Sequence, residues 1–225
     1  MVRQITHRIF LSACLLALVS FRSTLPAQEP RIVRAPVWVY LEDVPGNQTT
    51  DDTPPIENLY SVARFVLSGM IYGWKFSYTP SDRARSVAES FTLTPIMEIP
   101  SNDPNFVVES IKPAYPRLSC WAQYTLNQSD GRWVRYWTSV LFKSAQGRGY
   151  GERTAETEGI RQAYTRAMLL AIRQNARSLE KNKPKEIHGE ILLREGPRLF
   201  ADEGRFVAEV KVLIHISEII PYRSF

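Results

Sequence analysis

The sequence predicts an α+β fold: a predominantly antiparallel sheet with one long and one shorter helix packed on one face. Three observations carry that reading. Apolar residues recur at helical spacing in two stretches, 56–70 and 154–182. They alternate at period two in several others, most cleanly over 205–217. The extended stretches also follow one another in runs instead of alternating with helices. The 225 residues are 44% hydrophobic and 11% aromatic, with 15 Pro and 11 Gly, which suits a globular chain and excludes a fibrous or disordered one.

The chain opens with Arg3 and Arg8 before an apolar run from Ile9 to Phe21, and no acid precedes Glu29. A basic start, a short apolar stretch and a small residue at the cut are the marks of a secretory signal. Residues 1–27 are therefore read as a signal peptide cleaved after Ala27. Residues 28–225 are read as a single α+β domain, with 28–55 as a loosely ordered N-terminal arm. Leu11-Ser12-Ala13-Cys14 offers a competing reading, a lipid anchor on Cys14. Only Ile9 and Phe10 separate Arg8 from that motif, and the apolar run continues on its far side to Phe21. The leader holds three arginines and no acid, so its removal takes the formal charge from +5 to +2. Most of the basic bias that suggests nucleic acid or an anionic membrane belongs to the leader.

Further along, Arg34 to Leu41 reads as a strand and Glu42 to Pro55 as a polar loop. Asp52 or Thr53 is expected to cap a helix entered at Pro54-Pro55, with Ile56, Leu59, Ala63, Val66 and Met70 on its apolar face and Gly69 and Gly73 at its end. From Tyr72 the period changes to two, and a strand is expected to Tyr78. A short helix is expected over Ser81 to Ser90, then extended chain over Phe91 to Ile99 and 106–112. Arg117 to Leu126 and Arg132 to Lys143 are expected to form an antiparallel hairpin around Asp130-Gly131. The long helix follows at about Thr154 to Asn182. Ile187 to Arg194 then pairs with Arg205 to Ser217 around Gly196-Pro197 and Glu203-Gly204.

Chemistry-bearing motifs are scarce. Cys120 is the one cysteine outside the leader, on the apolar face of its strand, so a disulfide is not expected and a small buried hydrophobe is. His188 and His215 lack a third ligand for a metal. Gly147, Gly149 and Gly151 stand before the long helix, yet the sixth position of a dinucleotide fingerprint is Glu152; they are read as a flexible connection. Glu98, Glu109 and Glu152 are candidates for a hydrolytic carboxylate pair only if folding brings two of them together. No cofactor is expected.

Aromatic residues are the surplus. In a strand from Arg132 to Lys143, Trp133 and Trp137 fall on one face and Tyr136 and Phe142 on the other, while Trp121 lies opposite the Cys120 face. One of two aromatic faces meets the core, and the other must meet something else. Trp121, Trp133, Trp137, Arg117 and Arg135 are therefore the candidate binding residues. The reading is an exported periplasmic or envelope protein with a non-enzymatic binding role and another envelope protein as partner. The alternatives are a glycan or peptidoglycan binder on the same rings and a hydrolase with a carboxylate pair. Nucleic acid is not an expected partner, and no transmembrane helix is expected after the leader.

Overall fold

The computed structural model describes residues 31–42, 53–139, 141–153, 156–179 and 183–222. The expected signal peptide, the Cys14 motif and the expected capping residue Asp52 lie outside the described residues. The fold is α+β, and its strand pairings are antiparallel throughout the described residues. In chain order the elements are β1 (Ile32–Tyr40), α1 (Pro55–Ile71), β2 (Trp74–Thr79), β3 (Ser90–Pro95), β4 (Phe106–Ala114), β5 (Arg117–Thr125), α2 (Asp130–Trp137), β6 (Lys143–Glu152), α3 (Glu156–Leu179), β7 (Glu186–Leu193), β8 (Arg198–Asp202) and β9 (Arg205–Ile220).

The strands form two sheets instead of one. The small sheet runs β1-β5-β4, and the large one β3-β2-β7-β9-β6 with β8 also on β9. Strand β1 occupies part of the segment read as a loose arm. It is held because Ala35, Val37 and Val39 are buried at period two while Ile32, Arg34 and Pro36 face outward. The 16-residue β9 is the spine of the large sheet. It pairs with β6 along one side, and with β7 and then β8 end to end along the other. The β7–β9 and β8–β9 pairings realise the expected C-terminal hairpin, with β8 as an extra strand and Gly204 in the left-handed region at its turn.

Helix α1 reaches both sheets, touching β1 and β5 of the small one and β7 of the large one. Leu59, Val62, Ala63, Val66 and Leu67 are essentially inaccessible in the shared core. Burying each of the Val and Leu side chains contributes roughly 1.5–3 kcal/mol relative to exposure. The helix enters from Pro54, whose carbonyl accepts from Glu57 N at 2.9 Å and which, at the capping position, makes no side-chain hydrogen bond. Gly69 lies inside the helix, where a methyl group would overlap the Trp74 indole. The chain leaves α1 through Gly73, with φ +72, a conformation that costs glycine little.

Two expected elements fold differently. Residues 81–90 form a tight turn closed by an Asp82–Val87 bridge: the Asp82 carboxylate accepts from Ala84 N and Arg85 N and pairs with the Arg85 guanidinium at 2.7 Å. The Arg132 to Lys143 stretch is no strand. Residues 130–137 form helix α2, and β5 pairs instead with β4 through a hairpin that turns at the cis Tyr115–Pro116 bond. Asn127 starts α2, its side-chain oxygen accepting from Ser129 N at 2.8 Å and Asp130 N at 3.0 Å. Trp133, Tyr136 and Trp137 then meet at i, i+3 and i+4, the spacing that puts helical neighbours together.

The three glycines before the long helix are strand residues, not a flexible connection. Gly147, Gly149 and Gly151 lie in β6 facing α3, and a Cβ on each would come within 1.9, 2.2 and 1.8 Å of Ala167 O, Ala167 N and Gly159 O respectively. Opposite them α3 presents Gly159, Ala163, Ala167 and Ala171. Two stripes of small residues thus bring helix backbone onto strand backbone.

Candidate functional site

The five candidate residues fall on two elements. Arg117 and Trp121 are on β5, while Trp133, Arg135 and Trp137 are on α2. Arg117 lies over the Trp38 ring, 4.1 Å from its centroid, and Trp38 donates its indole N–H to Leu199 O at 2.9 Å. Arg117 is thereby engaged at the junction between the small sheet and β8.

Trp121 stands on the outer face of the small sheet and is 40% exposed. Pro36 of β1 and Glu109 of β4 are its cross-strand neighbours. Arg34 covers one side of its ring at 4.3 Å and pairs with Glu109 at 3.9 Å. Ile32, Val107 and Ile111 are exposed large hydrophobics on the flanking strands. The inner face of the same sheet carries Cys120, Ala122 and Tyr124 in the core, and burial pushes the Cys120 thiol up to about 11. Placing the buried cysteine on one face and the tryptophan on the other follows from strand alternation, as the sequence indicates.

Trp137 is buried, packed with Phe142 and Leu192 against the far face of the large sheet. Trp133 is half-buried, edge-on to Tyr72 and to Tyr136. Arg135 is exposed on the opposite side of the helix. Between α2 and β2 opens a cleft of about 580 Å³, whose floor is Ile96, Met97, Trp133 and Tyr136 and whose rim carries Lys75, Arg132 and Glu190. Tyr136 donates its hydroxyl to Glu190 at 2.5 Å; desolvation, then that bond, pushes its phenol up to about 12.

Sequence reasoning missed the buried group behind this cleft. The Asp130 carboxylate is 3% exposed and accepts from Tyr72 OH at 2.9 Å and Asn127 N at 2.8 Å. Burial raises the Tyr72 phenol well above its ordinary value, with neighbouring Tyr124 and Asp130 adding to the rise. Tyr124 in turn donates to Asp103 at 3.0 Å. These bonds tie α1, α2 and the small sheet together. Asp130 reads as a turn residue in sequence, and nothing local signals its partner 58 residues away.

The remaining candidates do not converge. His188 faces Glu218 and His215 faces Glu190 in the β7–β9 register; His188 lies 3.4 Å from Glu186, and His215 packs on Phe142. Among the described residues no group of three potential metal ligands occurs. Glu98 lies between β3 and β4, Glu109 in β4 and Glu152 at the end of β6. No described helix is long and apolar enough to cross a membrane.

No solved structure matches the chain. A protein of Treponema pallidum (strain Nichols), described as an uncharacterized protein, is 40% identical over 197 residues, covering 86% of this chain and 83% of its own. A family model matches residues 21–222, most of the chain. The chain therefore belongs to the family which that model defines, with the Treponema pallidum protein as a relative.

Proposed function

We propose that the protein is exported and serves as a non-enzymatic binding component of the cell envelope, contacting another protein through the outer face of the small sheet. The observation that carries this is the gathering of Ile32, Val107 and Trp121 on one solvent-facing surface with Arg34 and Glu109 among them. A mixed apolar and charged patch of this kind fits a protein partner better than a metabolite. The leader-like residues 1–27 support export. Trp121→Ala and Val107→Asp should each leave the melting temperature in place and remove partners that the wild-type chain retains from envelope extracts; an unchanged set of partners sinks the reading. A mature N-terminus at Gln28 supports cleavage after Ala27, whereas an acylated Cys14 establishes the lipid anchor instead.

A second reading rests on the cleft under α2. Trp133 and Tyr136 offer ring faces and edges, and Lys75, Arg132 and Glu190 offer polar groups, a combination that suits a glycan. Tryptophan emission titrated with muramidase-released peptidoglycan fragments should change in the wild type and not in Trp133→Ala. A flat titration across the fragments removes this reading and leaves the first.

A further inference from the structure

Among the described residues, four of the five strand edges open to a neighbour carry a feature that blocks pairing. Pro36 interrupts β1, a register shift between Glu109 and Lys112 with Ser110 at φ 53 breaks β4, β3 is six residues long and ends at Pro95, and the five-residue β8 has its Leu199 carbonyl taken by Trp38. The outer edge of β6 differs. It runs for ten residues in unbroken register with β9 and contains no proline.

Two observations establish which backbone groups point outward. Arg194 N donates to Lys211 O, so odd-numbered β9 residues face β7 and β8 while even-numbered ones face β6. Val212 and Val210 pair in register with Ala145 and Gly147, so those β6 residues bond inward and Ser144, Gln146, Arg148 and Tyr150 present their N–H and C=O outward. Independently, the Tyr150 carbonyl receives Arg166 Nη1 at 2.8 Å from α3. That bond closes one end of the edge. Ser144, Gln146 and Arg148 remain, and among the described residues no strand lies against them. Arg148 is turned onto the sheet toward Asp202 and Glu209.

We infer that the Ser144–Arg148 edge receives an extended segment of another polypeptide as an added strand, with small residues at every second position. Helix α3 sets the size limit. It lies on β6 backbone to backbone, and an added strand runs only about 4.8 Å away, still beneath the flank of a helix about 10 Å across. Side chains facing α3 must therefore be Gly, Ala or Ser, as β6's own are. The same overhang excludes a second copy's β6: antiparallel pairing would set the two α3 helices on one face about 5 Å apart, where helices need about 8–10 Å. The inference is independent of the surface proposed above, since Trp121 and this edge belong to different sheets.

The probe is a displayed library of nine-residue peptides selected on the mature chain, with synthetic copies of retained peptides then titrated in solution. Retained peptides should alternate small residues with others and slow hydrogen exchange at the Ser144, Gln146 and Arg148 amides. Gln146→Pro removes an N–H that no described strand bonds, so it should keep the urea midpoint and weaken binding at least tenfold; Ser144→Pro is the second variant if that one fails to fold. Trp121→Ala should bind as wild type, and Arg166→Ala, which frees the Tyr150 carbonyl, should bind more tightly. The inference is overturned if no peptide is retained, if those three amides exchange at the free rate with peptide bound, or if the wild-type chain is a dimer that Gln146→Pro dissociates.

Discussion

Gly149 shows how much a single hydrogen in place of a methyl group decides. A Cβ there would sit 2.2 Å from Ala167 N and 2.3 Å from Ala163 O, and both neighbours are helix backbone that cannot swing aside. Gly149→Ala should therefore destabilise the protein by about 3 kcal/mol, at the upper end of ordinary overpacking, measured as the loss in urea-unfolding free energy. Gly204, at φ +74 with open space around it, tolerates added volume and objects only on backbone grounds. The titratable residues give a second test. The Cys120 thiol is raised from 9.0 to about 11 and the Tyr136 phenol from 10.0 to about 12 by burial, with Tyr72, Tyr78, Tyr124 and Tyr164 raised as well. Each raised group stabilises the fold fully below its unfolded value, and the contribution fades as pH climbs through the folded one. Urea midpoints should hold up to about pH 9 and fall progressively from there to about pH 12, with these five tyrosines ionising only as the chain unfolds. Early titration of these tyrosines in the folded protein would contradict the burial.

Helix α2 is the element where sequence and structure part. Aromatics on both faces of a supposed strand are awkward, and the helix resolves the difficulty because Trp133, Tyr136 and Trp137 share one side at a period of 3.6. The signal was present in the spacing, but Asp130-Gly131 mimics a hairpin turn and the stretch is only eight residues long, too short for helical periodicity to stand out. An isolated helix of that length is marginal in water. Its stability must come from Trp137 packed on Phe142 and Leu192 and from the Tyr72–Asp130 bond. Trp137→Ala should cost about 3–5 kcal/mol and loosen α2 locally, seen as fast hydrogen exchange over 132–137 while α1 and α3 stay protected. The long helix, the Pro55 helix and β9 were legible because their periodicity persists over many residues. The candidate binding residues were legible as types and not as a group, since which face of which element they occupy depends on a helix assigned as a strand.

At the scale of the whole molecule, the α+β class could be read from the order of periodicities, whereas the division into two sheets could not. Whether β5 pairs with β1 and β4 or with the next stretch depends on partners far apart in the chain, and neighbouring sequence carries little of that information. The small sheet keeps one face in the core and turns Trp121 outward; the large sheet is covered by α1 and α3 on one face and in part by α2 on the other. The strand order then makes the C-terminal residues indispensable. A chain ending at residue 204 lacks β9, and it should show no cooperative thermal transition even though both long helices are present.

The position of β9 has a consequence in time. Among the described residues it is the last strand in chain order and the only strand paired with β6, and it holds β7 and β8 as well, so the large sheet closes only after every strand that β9 joins has been made. The strand that closes the large sheet thus emerges after all the strands it must join. Under the export proposed above, that order would leave the large sheet open while the chain is being threaded through a membrane.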